Sequence, residues 1–247
     1  MSNAKVGNFG PAVRRQQNIL RFDVPVDNSP GVESAQTLTF APRGLELQQA
    51  MCQEIDEFLG EVAAARKAAA AQSDESNANY ALAMELSLKV IWHELQMWIC
   101  LKSNAGEQAW DDLVEAQYNC MRAIDVREQL EGFGTAERLE NLLSKLLFIE
   151  RAVFPPQMFM SVGGVIARRV CSICQRPYDE CEHIKGRAYM GELCVTSIEE
   201  MDLEEVSLVA EPANKHCRVT HSSDSAGKRN KMTWRVEPGT DTVEDQS

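Results

Sequence analysis

Hydrophobic positions change their period twice along this chain. Over residues 18–26, Leu20, Phe22, Val24 and Val26 alternate with Arg21, Asp23 and Pro25, the two-residue period of a strand. Pro25 cannot donate to a ladder, so this is an edge strand or an extended arm. Ser29-Pro30-Gly31 reads as a turn, and Thr37 to Phe40 as a second short strand. From about Leu45 the period becomes helical. Leu47, Met51, Ile55, Phe58 and Val62 fall on one stripe, Gln53, Glu54, Glu57 and Glu61 lie off it, and an alanine-rich end runs to Ala71. Ser73 to Asn79 reads as a polar linker. The next helix, 79–102, is apolar almost all round, with Glu85, Lys89, His93 and Gln96 forming a narrow polar line. Such a helix is either the buried centre of a bundle or a self-association or partner surface.

A third helix over 107–130 turns Trp110, Leu113, Val114, Met121 and Ile124 inward and Asp111, Asp112, Glu115 and Arg122 outward. Gly132-Phe133-Gly134 breaks it. Thr135 can cap a fourth helix carrying Leu139, Leu142, Leu143, Leu146 and Leu147, which Pro155-Pro156 stops. Short connections between four helices predict an antiparallel bundle. Beyond Pro156 the pattern is that of strands: Met158 to Val162, Val165 to Val170, Ala188 to Ile198 around a turn at Met190-Gly191-Glu192, and Leu203 to Ala210. From Ser222 the chain is polar, and only Met232 to Val236 reads as ordered.

Composition narrows the function classes. The 247 residues carry 37 acidic against 25 basic side chains, a net charge of −12, and the excess lies in 41–160, with 19 acidic and 10 basic. The averaged field repels phosphate, which opposes non-specific binding to nucleic acid or anionic membrane. No signal-peptide core precedes residue 15, and the most apolar stretch, Tyr80 to Leu101, holds too many ionisable groups for a membrane span. The expectation is a cytoplasmic protein without disulfides, in which Cys52, Cys100 and Cys120 are thiols buried in helices.

The densest chemistry is Cys171-Ser-Ile-Cys174-Gln-Arg-Pro-Tyr-Asp-Glu-Cys181-Glu-His183. Tetrahedral zinc takes four nitrogen or sulphur ligands. A C-x2-C turn curls two thiolates toward one point, and two residues separated by one in an extended chain face the same way. Cys171, Cys174, Cys181 and His183 therefore predict one closed structural Zn2+ site that pins a β-structure too small to hold itself. Cys194 is an alternative fourth ligand in place of His183, and Cys217 a more distant one.

Two flanking motifs carry a resemblance. Met160-Ser161-Val162-Gly163 is similar to the strand bearing the catalytic serine of phage prohead (head maturation) proteases, and Glu205-Val206-Ser207-Leu208-Val209 with Pro212-Ala213-Asn214 resembles that family's later strand and turn. Some relatives of that type hold a zinc knuckle resembling Cys171 to Gly186. The resemblance covers about 160–219 and implies a related β-fold. The family's histidine comes from a β-rich region before the serine, whereas the hundred residues preceding Ser161 here are helical and hold only His93. Without a base Ser161 is not activated.

Other constellations are weaker. Glu182-His183-Ile184, with Asn214 and His221, sketches an HNH-type metal-dependent nuclease, against which stand the acidic chain and the missing second C-x2-C. His93-Glu94 begins the H-E-x-x-H zinc-protease motif, but position 97 is Met. His216-Cys217 has no orienting carboxylate adjoining it in sequence. Arg168, Arg169, Arg176, Lys185 and Arg187 make the knuckle basic, offset by Asp179, Glu180 and Glu182, which favours a solvated or protein-facing surface.

The sequence thus predicts an α+β protein, an acidic antiparallel helical bundle followed by a small zinc-stapled β-rich domain: an arm over 1–40, the bundle over 41–156, the zinc domain over 157–221 and a flexible tail over 222–247. The function expected is that of a non-catalytic zinc-binding adaptor or assembly protein that recognises a protein partner or itself, in a phage-related or anti-phage setting. Nuclease chemistry at Glu182-His183 and a peptidase remnant at Ser161 are the alternatives.

Overall fold

The polar line on the second helix explains how the helices assemble. The computed structural model describes residues 37–130, 136–224 and 227–237. In it α1 (Thr37–Ala71), α2 (Glu75–Lys102), α3 (Gly106–Glu128) and α4 (Glu137–Val153) follow one another, and α2 packs between α1 and α3. Glu85 on α2 accepts from Arg66 on α1 at 2.9 Å and from Lys89 at 2.8 Å, His93 pairs with Asp112 on α3 at 2.8 Å, and Glu94 pairs with Lys145 on α4 at 2.6 Å. Burial would raise the Glu85 carboxyl, but the Lys89 and Arg66 cations outweigh it and hold it below the ordinary range. Around this line the apolar surface of α2 is spent on neighbours. Ala81, Met84 and Leu88 meet Val62 of α1; Leu82 and Leu86 meet Ala123 and Val126 of α3; Val90 and Met97 join Trp110, Leu113, Leu146 and Ile149. Residues 79–102 are the bundle's centre, and the fold is α+β as the sequence predicts.

The helices differ from expectation in detail. Thr37–Phe40 is the head of α1 rather than a strand, because extending a formed helix costs far less than nucleating a four-residue strand without a partner. Ser73–Asn79 shrinks as a linker: Asp74 caps α2, accepting from the Asn77 N–H at 3.1 Å, so the helix starts at Glu75. Leu47 is exposed, since α1 runs antiparallel to α2 and Gln48 already meets Lys102 at the end of α2. Met121 is also exposed and Asp112 is drawn inward to His93. The inner face of α3 is lined by the small residues Ala116, Cys120 and Ala123, which let α2 approach closely and centre the buried stripe beside the one that the large residues suggest. Cys52 and Cys120 are buried free thiols and Cys100 is half-buried. Among the described residues no helix is long and apolar enough to cross a membrane. The strand expected over 18–26, the Ser29-Pro30-Gly31 turn, the Gly132–Gly134 break and the Thr135 cap lie outside the described residues.

Beyond α4 the chain forms a long two-stranded ribbon, β1 (Phe159–Cys171) antiparallel to β4 (Thr196–Val209), in register from Phe159↔Val209 to Cys171↔Thr196. The two strands expected on either side of Gly163-Gly164 are one. A bulge in β4 opposite the glycines lets β1 run on through them, and Gly164 is required there because a Cβ would collide with the Asp202 carbonyl. Phe159 and Val209 turn into the core beside Trp110, and Met160 donates its N–H to the Cys217 carbonyl at 2.8 Å, so 217–219 extends the ribbon's edge at this end. At the far end β2 (Ala188–Tyr189) and β3 (Glu192–Leu193) make a hairpin whose turn residues Met190 and Gly191 both have positive φ, the primed turn that matches strand twist.

The polar C-terminal stretch is more ordered than its composition suggests. β5 (His221–Asp224), β6 (Gly227–Asn230) and β7 (Val236–Glu237) form a three-stranded antiparallel sheet. Buried Asn230 fixes it: its carbonyl accepts from Met232 and Thr233 N–H at 2.8 and 2.9 Å, and its amide donates to Glu107 at 3.1 Å, where Arg218 also pairs. Met232 then packs on the core. One buried amide with its bonding capacity met replaces the apolar run that a pattern search looks for.

Candidate metal centre

β1 delivers Cys171, fully buried, at its last position. The chain reverses at once. The Gln175 N–H donates to the Cys171 carbonyl at 2.9 Å, the Cys171 N–H to the Arg176 carbonyl at 3.0 Å, and Gln175 takes a positive φ of 57° to close the turn. This points backbone N–H groups of Ile173 and Cys174 at the Cys171 sulphur. Burial would raise that thiol, but these donors, with Cys194 and Cys181, bring it down to about 7. The Arg176 N–H lowers Cys174 in the same way. Burial raises Cys181.

A single turn of tight helix, Tyr178–Glu180, leads to Cys181 in an extended conformation, with ψ at 152°, and His183 follows two residues on. The two tyrosines hold the returning strand: Tyr189 Oη accepts from the Ile184 N–H at 2.9 Å and Tyr178 Oη from the Lys185 N–H at 3.0 Å. The His183 ring packs edge-on to Tyr189, centroids 4.6 Å apart. One ligand atom from each of Cys171, Cys174, Cys181 and His183 lies within 4.8 Å of the others, a group that could hold a metal ion. Ligands on a tetrahedron with bonds of 2.0–2.3 Å stand roughly 3.3–3.8 Å apart, so this group closes on an ion with small side-chain adjustments. Among the described residues the buried Nδ1 of His183 has no hydrogen-bond partner, an orphaned acceptor or donor of the kind that ligation satisfies.

Cys194 is close by without belonging to that group. Its sulphur lies 3.7 Å from that of Cys171, and burial followed by the Cys171 charge pushes its thiol up to about 11. Either sulphur can donate in this contact, which sets Cys194 beside a residue of the four as a partner that can tune it. Cys217 is exposed and sits beside Met160, at the other end of the ribbon.

The bundle, not a separate β-core, seats the cluster. Asn79 accepts from the Gly191 N–H at 2.7 Å and donates to the Ala188 carbonyl at 3.2 Å; Gln129 accepts from the Ala188 N–H at 2.9 Å and donates to the Gly186 carbonyl at 3.1 Å; Arg66 donates to the Gly191 carbonyl at 2.8 Å. Ala188 is buried against Leu82, Leu86, Ala123 and Val126. Sequence reasoning missed these residues because amides at helix ends look like ordinary solvated positions.

The remaining candidates are dispersed. Asn214 accepts from the His216 N–H, His221 stands at the head of β5 beside Thr220 and Asn230, and Glu182 is exposed, so the nuclease constellation around His183 has no further member at the cluster. Arg169 pairs with Asp179 at 2.6 Å and lies over the Tyr178 ring, and Arg168 pairs with Glu199 at 2.9 Å. His216 does have an orienting carboxylate, supplied from α3: its Nε2 lies 3.1 Å from Glu115, with Tyr118 beside the ring. His216 lies in the turn that precedes Arg218, the residue bridged to Phe159 at the start of β1. Compared with known proteins, the chain matches no family model, no curated sequence and no solved structure.

Proposed function

We propose that the chain is a non-catalytic adaptor or assembly protein of the cytoplasm, in which one structural zinc ion holds the distal end of the β-ribbon and the hairpin against a helical bundle. The observation that carries this reading is the convergence of Cys171, Cys174, Cys181 and His183. Three sulphurs and one imidazole nitrogen favour zinc, and four protein ligands leave no open position for a reacting water. Zinc there supplies a cross-link between the end of β1 and the segment returning to the hairpin. The acidic surface supports a protein rather than a nucleic-acid partner. A phage-related or anti-phage setting follows from the resemblance of 160–219 alone.

Elemental analysis of chain purified without added zinc tests this. One zinc per chain, lost in His183→Ala together with the folded hairpin, is the expected result. An exchangeable magnesium, manganese or nickel ion, with metal-dependent DNA cleavage lost in His183→Ala while the fold survives, would overturn it in favour of the nuclease.

The Glu115–His216 pair favours one second reading, a peptidase remnant at Ser161 in which His216 is the base. Cleavage of a co-expressed partner that persists in Ser161→Ala ends that reading.

A further inference from the structure

Among the described residues nothing covers one apolar face of the ribbon. Cross-strand partners share a face, so Met160 with Leu208 and Val162 with Val206 lie on one side, opposite to Phe159 and Val209, which enter the core. At the Gly163/Gly164 irregularity β4 gains a residue, and Leu203 pairs with Gly164, Met201 with Ile166. That bulge reverses the alternation of β4 where its sequence reverses, from Leu208 and Val206 to Leu203 and Met201, and keeps the apolar set on one face. The other face carries Ser161, Ser207, Glu205 and Asp202. Met160, Val162, Ile166, Leu203, Val206 and Leu208 are between 44% and 61% exposed. A two-stranded ribbon is marginal in water unless a face is covered. This one is tied to the bundle at both ends, at Phe159 and through the Ala188–Leu193 hairpin, and turns its apolar side away from the core.

We propose that this face is the contact between two copies of the chain, ribbon stacked on ribbon about a two-fold axis along the strands. The exposed apolar side chains amount to roughly 600 Å2 per copy, so two copies bury about 1,200 Å2, the lower end of what a stable interface needs. Charge selects the orientation. Apart from Asp202 and Glu205, which lie on the opposite face, β4 carries Glu199, Glu200 and Glu204 and no base, and β1 carries Arg168 and Arg169, paired within the chain to Glu199 and Asp179, and no acid. A two-fold axis along the ribbon lays β1 over the second copy's β4, with unlike charges at both rims, whereas an axis across it would stack the acidic strand on itself. Because Phe159 and Val209 point the other way, the bundles stand outside the stack.

This deepens the assembly reading and is tested apart from it, by sedimentation equilibrium of the full zinc-loaded chain. The expected mass is twice the 27.6 kDa of one chain. Leu203→Glu on the apolar face raises the dissociation constant at least about a hundredfold, since it buries a charge at the centre. Val165→Glu, at an exposed position on the opposite face, leaves it unchanged. Circular dichroism and zinc content, equal in both variants, exclude unfolding as the cause. A monomeric wild type, or equal effects of the two variants, overturns the proposal. A monomer whose residues 1–36 are protected from hydrogen exchange also overturns it, and gives the face to the chain's own N-terminal segment. Partner capture by a monomer would refute the dimer and leave the adaptor reading standing; a dimer that captures nothing does the reverse.

Discussion

Replacing Asn79 by alanine removes one of the side chains that join the bundle to the hairpin beside the metal cluster. Two hydrogen bonds are lost, from the Gly191 N–H at 2.7 Å and to the Ala188 carbonyl at 3.2 Å. Each is worth about 1 kcal/mol net, and a buried group left unpaired costs about 1–3 kcal/mol. Gly191 and Ala188 are both buried. The hairpin edge is pinned there by Arg66, so water does not freely replace the amide. The expected loss is about 2–4 kcal/mol in urea unfolding of the zinc-loaded chain, with faster hydrogen exchange at Gly191. If docking of the hairpin is linked to metal retention, about 2 kcal/mol also lowers apparent zinc affinity about thirtyfold, measured by competition with a chelator. Gln129→Ala, which removes the second pair of bonds, should act alike, and the double variant should be less than additive if the hairpin leaves as a unit. A destabilisation under about 0.5 kcal/mol with unchanged exchange at Gly191 would refute this account and make the zinc module an independent unit.

Other expectations follow from single observations. Gly191→Ala places a Cβ 2.8 Å from Arg66 Cγ at a φ of +80°, so it should destabilise by about 1–3 kcal/mol and melt the hairpin first; an unchanged melting temperature would contradict it. Glu85 is held below its ordinary pKa, so its contribution is present above the unfolded value and lost as pH falls through the folded one. Glu85→Gln should flatten the acid limb of the stability curve below about pH 4.5 while lowering stability at pH 7, and a parallel shift of the whole curve would reject the Arg66–Glu85–Lys89 account. Cys194→Ser should keep one bound metal per chain while Cys171→Ser loses it; equal loss in both would make Cys194 a ligand. Trp110→Ala, which empties the contact with Phe154 and Phe159, should cost about 3–5 kcal/mol by denaturant unfolding and free the proximal end of the ribbon.

What the sequence determined was everything with a short repeat. Four helices with their periods, the stop at Pro155-Pro156, the turn at Met190-Gly191 and the spacing from Cys171 to His183 are local signals, because a helix, a primed turn or a thiolate knuckle is decided by neighbours within a few residues. The tertiary structure decided the rest. Met121 faces water because Ala116, Cys120 and Ala123 let α2 come close, which no residue of α3 can announce by itself. The sheet of 221–237 exists because Asn230 reaches Glu107, 123 positions away. Cys194 comes to lie 3.7 Å from the Cys171 sulphur, beside the group of four, and His216 gains Glu115 as its carboxylate, only because distant segments meet. The bulge opposite Gly164 turns two apolar half-patterns of β4 to one face. Register and contacts between distant segments depend on closing long loops, whose cost and reward appear only when the whole chain is packed.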